Sequence, residues 1–95
     1  MPAYFVVRCT YGDMDHYHRY EKLAGLAITE FNGRFLITGK GETVQKESGK
    51  HKKTVVVEFD SMETALTCYH SQTYQQALKE IALSAERDFV IVEGL

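Results

Sequence analysis

The stretch "AYFVVRCT" near the start of the chain is rich in aromatic and β-branched side chains, which predicts a strand over 3–10. Gly12-Asp13 breaks it, and Asp13 is placed to cap the next element. From Met14 the apolar positions switch to steps of three and four: Tyr17, Tyr20, Ala24, Ala27, Ile28 and Phe31 form one helical stripe. Asn32-Gly33 ends that helix, because both residues tolerate the left-handed cap conformation. A short strand is expected over 34–38. A polar stretch, "GKGETVQKESGKHKK", comes next; within it 42–45 can extend the sheet edge and Ser48-Gly49 signals a turn. "KTVVVEF" is the third strand. Asp60 or Ser61 caps a second helix with the stripe Met62, Ala65, Leu66 and Tyr69, and Glu63 is spaced for a capping box with Asp60. Ser71 or Thr73 restarts a helix in which Tyr74, Ala77, Leu78, Ile81 and Ala85 share a face. A last strand is expected over 89–93.

This order, strand–helix–strand–strand–helix–strand, predicts an α+β fold: a ferredoxin-like βαββαβ plait with an antiparallel sheet, spanning 1–95 as a single domain. The first and third strands, rich in apolar residues, belong at its centre. Period-two alternation then divides the strands by face. Phe5, Val7, Cys9, Phe35, Ile37, Val55, Val57 and Phe59 are expected to pack on the helices. Tyr4, Val6, Arg8, Leu36, Thr38, Val56 and Glu58 face the other way, with Val90 and Val92 able to join them. That second face is half apolar, a patch of several hundred Å² that a monomer rarely leaves in water. A homodimer joined through the sheet face is the natural remedy. Arg8 and Glu58 share this face on adjacent strands; they either pair across it, reducing the cost of burying each charge, or stay hydrated near its rim.

Composition narrows the function classes. A formal net charge of −2 argues against a phosphate-tracking surface, so no nucleic-acid partner is expected. The aliphatic centre of the third strand also lacks the exposed aromatics of an RNA-recognition sheet. Cys9 and Cys68 form no CxxC pair and are expected to be free, buried thiols. "MPAYFVVRC" carries neither a basic region nor a long apolar run, which points to a cytoplasmic protein with no membrane partner. "GKGET" is not a phosphate loop: Gly33 is one residue too far away, and Gly41 follows Lys40 where a Ser or Thr would hold magnesium.

Among the histidines, His16 and His18 stand two apart on a helix and cannot chelate one ion. His51 lies in the lysine-rich polar stretch and is expected to be exposed. His70 stands beside Tyr69 at a helix break and is the candidate proton-transfer group, an imidazole suited to general base work near neutral pH. Tyr17, Tyr20, Tyr69 and Tyr74 all fall on stripes that face the sheet. Their hydroxyls need partners when buried, and several converging on one cavity would line a pocket for a small flat molecule. Arg34, opening the second strand, is a candidate carboxylate clamp for the same pocket. No metal cluster, paired carboxylates or Ser-His-Asp set can be placed, so neither a metal nor an organic cofactor is expected.

The segments "MPAYFVVR", "NGRFLITGKGETV", "TVVVEFDSMETALTCYHSQTY" and "VIVEG", taken in order over nearly the whole chain, resemble the uncharacterised domain-of-unknown-function family numbered thirteen-thirty, of the dimeric α+β barrel superfamily. The resemblance includes Gly33-Arg34, Glu58-Phe59, the Tyr69, Ser71 and Tyr74 break and Glu93-Gly94. It departs at Thr38, where relatives usually carry Arg, at Lys40, where Gly is usual, at Cys68, where an aromatic is usual, and across Ile81 to Leu83, where an Arg is common. The resemblance implies two subunits forming a dimeric α+β barrel, with pockets between sheet and helices. The superfamily includes cofactor-independent monooxygenases, haem-degrading enzymes and isomerases of small aromatic compounds. The resulting expectation is a small homodimer that binds a small molecule between sheet and helices. The alternative is a cofactor-independent monooxygenase or isomerase acting on a small aromatic compound.

Overall fold

The computed structural model describes residues 1–95. Its elements are β1 (Ala3–Tyr11), α1 (Met14–Glu30), β2 (Arg34–Ile37), β3 (Lys53–Phe59), α2 (Met62–His70), α3 (Gln72–Ile81) and β4 (Ala85–Glu93). The four strands form one antiparallel sheet in the order β2-β3-β1-β4, with the first and third strands inside, as expected. The helices cover one face. Ala3, Phe5, Val7 and Cys9 from β1 and Val57 and Phe59 from β3 are buried there against Ala24, Ala27, Ile28, Ala65, Cys68, Tyr74 and Ala77. Phe5 is the hub, its ring centroid 4.7 Å from that of Phe59 and 4.9 Å from that of Phe89.

The helix ends follow local chemistry. Asp13 caps α1, its carboxylate accepting the backbone N–H groups of Asp15 and His16. At the other end Asn32 adopts φ 59°, its N–H donating to the Thr29 carbonyl while the Gly33 N–H donates to that of Ile28, a Schellman closure. Of this pair only Asn32 takes the left-handed conformation. Gly33 serves a different need: a Cβ there would lie 2.6 Å from Ile28 Cγ2 and 2.9 Å from Phe59 Cε1. Ser61, and not Asp60, caps α2 by accepting the Thr64 N–H. The expected box between Asp60 and Glu63 is therefore absent, and Asp60 lies 3.6 Å from Arg34 instead. Ser71 closes α2 and opens α3: its hydroxyl donates to the Cys68 carbonyl and accepts the Tyr74 N–H.

Further expectations are corrected, and one open alternative is decided. The last strand begins at Ala85, not Phe89, and pairs with the whole of β1 from Ala3↔Glu93 to Tyr11↔Ala85. Unpaired backbone along β1 outweighs the helical pattern that included Ala85. Residues 42–45 form no strand. A β-bulge between Phe35↔Val57 and Ile37↔Val56 turns Ile37 from the helix side to the open face and brings Thr38 to the helix side. Finally, Arg8 does not pair with Glu58. Arg8 lies opposite Thr54 and Glu58 opposite Tyr4, a separation of four residues, or roughly 13 Å along the strands.

The connection between β2 and β3 crosses the open face of the sheet to β1 and β4. Arg8 donates to Thr54 Oγ1, to the His51 carbonyl and to Gln45 Oε1. Lys50 pairs with Glu86 at 2.8 Å. His51, expected in solvent, is only 4% exposed: its Nδ1 lies 2.9 Å from Thr10 Oγ1 and its Nε2 3.9 Å from Asp88 Oδ2. Beyond this strap the open face carries Tyr4, Val6, Ile37, Val56, Val90 and Val92. Glu58 sits at its rim, accepting from Arg34 and from the Tyr4 hydroxyl.

Candidate functional site

The packing between α1, α3 and the sheet is incomplete. A cavity of about 230 Å³ remains there, walled by Phe5, Val7, Cys9, Val55, Val57 and Phe89 from the strands and by Tyr17, Ala24, Ile28 and Ile81 from the helices. The alternation of β1, β3 and β4 supplies the sheet side, and the three- and four-residue spacing of α1 supplies the facing stripe. Phe35 and Thr38 reach it at the open end, with the exposed Glu21 and Lys40 beside them.

Its polar pole is built by Tyr20, Tyr74 and Arg87. The Arg87 Nη1–H donates to the Tyr20 hydroxyl at 2.8 Å, and that oxygen lies 2.8 Å from the Tyr74 hydroxyl. The guanidinium carbon of Arg87 stands 4.9 Å from the ring centroids of both Tyr20 and Phe89, within cation–π range. Burial raises the Tyr74 hydroxyl, and that of Tyr17, above the ordinary tyrosine value of 10.0. Both are therefore neutral groups that donate as well as accept at neutral pH. Cys9 is a buried thiol in the wall. Cys68 is also free but lies in the core, where burial pushes its thiol up to about 12 and makes it inert.

Three of the expected pocket residues, Tyr17, Tyr20 and Tyr74, thus meet at one cavity, and three do not. Tyr69 packs outside it, 5.4 Å from the rings of Tyr74 and Phe89. His70 is exposed at the end of α2 and meets Tyr69 edge-on at 5.2 Å. Arg34 is on the opposite side of the sheet, held by Glu58. Arg87 is the residue that sequence reasoning misses, because it falls beside a stretch with helical spacing. A signal for it exists nonetheless: Ala85, Arg87, Phe89 and Ile91 alternate on one face of β4, so Arg87 stands one step from a core phenylalanine. Thr38, Lys40 and Ile81 also line the cavity.

A four-stranded antiparallel sheet with its helices on one side and a cavity between the layers defines a ferredoxin-like α+β protein. Residues 2–95 match the family profile Domain of unknown function (DUF1330), and the chain belongs to that family. Solved structures agree on the fold. The RPA0582 protein of unknown function from Rhodopseudomonas palustris superimposes with a TM-score of 0.76 at 11% identity, over 99% of this chain and 82% of that one. A dimeric ferredoxin-like protein of unknown function from Jannaschia sp. CCS1 gives 0.72 at 14%, over 99% and 100%. SnoaB, a cofactor-independent oxygenase from Streptomyces nogalater, gives 0.63 at 10%, over 99% and 93%. No curated protein sequence matches the chain. No helix is long and apolar enough to cross a membrane.

Proposed function

We propose that this protein is a homodimer that binds one small, flat organic molecule per subunit in the cavity between sheet and helices. The observation that carries the reading is the cavity itself: aromatic and aliphatic walls around a single pole of two hydroxyls and a guanidinium. Binding sites are typically apolar clefts with a few convergent polar groups. At about 230 Å³ the space is smaller than the ~300–1,000 Å³ of sites for drug-sized ligands. It exceeds the ~150 Å³ that accommodates benzene. A one-ring compound with a polar substituent suits it.

The dimer follows from the open face. Two nine-residue strands, one of seven and one of four, at ~3.3 Å per residue and ~4.8 Å spacing, give a plan area of roughly 460 Å². Side-chain relief raises that area toward the ~800 Å² per partner of a standard interface. The strap from β2 to β3 occupies one end, so the partner's sheet would sit on Tyr4, Val6, Val56, Val90 and Val92. The Jannaschia neighbour, described as dimeric, supports this assembly.

A second reading, cofactor-independent oxygenation or isomerisation of a small aromatic compound, is favoured by the likeness to SnoaB. In that reading proton transfer falls to the Tyr20 or Tyr74 hydroxyl, since His70 does not reach the cavity. Native mass spectrometry of freshly purified protein tests the main proposal. A dimer carrying an added small-molecule mass, released on denaturation, is expected. A monomer at high concentration would remove the assembly. A dimer that takes up no one-ring aromatic compound even when supplied would remove the binding role.

A further inference from the structure

Arg87 differs from every other arginine of the chain. Arg19 and Arg34 have carboxylate partners. Arg8 is held by two side chains and a carbonyl. Arg87 has only the tyrosine hydroxyls of the pole as partners, that of Tyr20 at 2.8 Å, and no acidic partner. Yet it is partly buried and lines the cavity. No side-chain polar atom of the protein is both fully buried and unpartnered. The remaining Arg87 N–H groups are therefore not sealed in the core, and the residue that carries them lines the cavity. A half-buried cation without a counter-charge is costly, and the cost is relieved by an anion brought to it.

The group is also held for such a role. Its guanidinium carbon lies within cation–π range of the Tyr20 and Phe89 rings, and the bond to the Tyr20 hydroxyl anchors one of its nitrogens, so the charge is positioned at the pole. The pole has a surplus of donors. Tyr20 already accepts from Arg87, only one hydroxyl hydrogen is used between Tyr20 and Tyr74, and no carboxylate is near to take the rest. Glu21 and Lys40 at the open end carry opposite charges, so neither sign of ligand is favoured there and Arg87 decides.

Building on the small-molecule reading, we propose that the ligand is anionic: a one-ring aromatic carboxylate. Its carboxylate accepts a forked pair of hydrogen bonds from Arg87 beside the Tyr20–Tyr74 hydroxyls, and its ring lies against Phe5, Val57 and Phe89.

Benzoate and benzamide, alike in shape and different in charge, provide the test by calorimetric titration of the native protein. Benzoate is expected to bind at least about tenfold more tightly. Arg87→Gln should bring the benzoate and benzamide affinities within about threefold of each other, with benzoate losing the more, and Arg87→Lys should fall between because it keeps the charge and loses the fork. Equal affinities in the native protein would overturn the anion assignment and leave the small-molecule reading standing. Binding of neither compound to folded protein would overturn both. A preference for benzoate that survives in folded Arg87→Gln would also overturn the proposal, by placing the anion elsewhere. Should Arg87→Gln fail to fold, the two ligands on native protein still decide the charge of the ligand.

Discussion

The two faces of the sheet use the same strands and opposite sets of side chains, and they meet different fates. On the helix side, Phe5, Val57 and Phe59 are at most 1% exposed and sit in one hydrophobic cluster. On the open side their immediate neighbours Val6, Val56 and Glu58 stay partly exposed, and Val90 and Val92 are 54% and 45% exposed. The helix side closes onto itself but leaves a cavity where rigid rings cannot interdigitate fully. The open side is covered only at one end, by the strap through Gln45 and His51.

The difference is sharpest at the hub. Phe5→Ala should cost about 3–5 kcal/mol of stability in urea unfolding, through lost burial and the void left among four rings. A cost below about 1.5 kcal/mol would mean that the helix side is not a single packed core. On the other face, Val56→Asp should leave the subunit's secondary structure intact. It should raise the dimer dissociation constant by about a hundredfold or more, because a buried, unpaired carboxylate is expensive at an interface. Sedimentation velocity reads this directly, and an unchanged association would move the interface off the Val56 face.

A smaller effect lies at the rim. Donors from Arg34 and then Tyr4 hold the Glu58 carboxyl below its ordinary value of 4.5. A carboxyl lowered in the folded state adds stability above its unfolded pKa, and that contribution is lost as pH falls through the folded one. The chain should therefore lose stability on acidification below about pH 4.5, and Glu58→Gln should flatten part of that slope. Glu80, lowered by His16 and Arg19, and Glu86, lowered by Lys50, account for part of the remaining slope. An identical slope in the variant would show that the Arg34–Glu58–Tyr4 cluster does not persist in solution.

Much of this architecture is legible in local pattern. Asp13 and Ser71 mark helix starts because their side-chain oxygens answer N–H groups only two or three residues away. Tyr17, Tyr20 and Tyr74 fall on inward stripes for the same reason, since helical spacing is a property of the chain alone. Arg34, Tyr69 and His70 show where that reasoning stops. Each lies close in sequence to the right elements, but which side of the sheet or which flank of a helix faces the cavity is decided by packing.

By itself the sequence determined the set of elements, their order and most of the inward and outward alternation, because these rest on periodicity and on caps within a few residues. Tertiary structure decided the rest. The bulge at Leu36 reassigns Ile37 through its pairing with Val56. The β4 strand extends back to Ala85 because β1 offers it partners along its whole length. His51 is buried because the strap crosses to Thr10. Arg87 reaches Tyr20, 67 positions away in sequence, across the gap between a strand and a helix. Each of these depends on contacts between residues far apart in the chain, whose energies do not exist until the layers have come together.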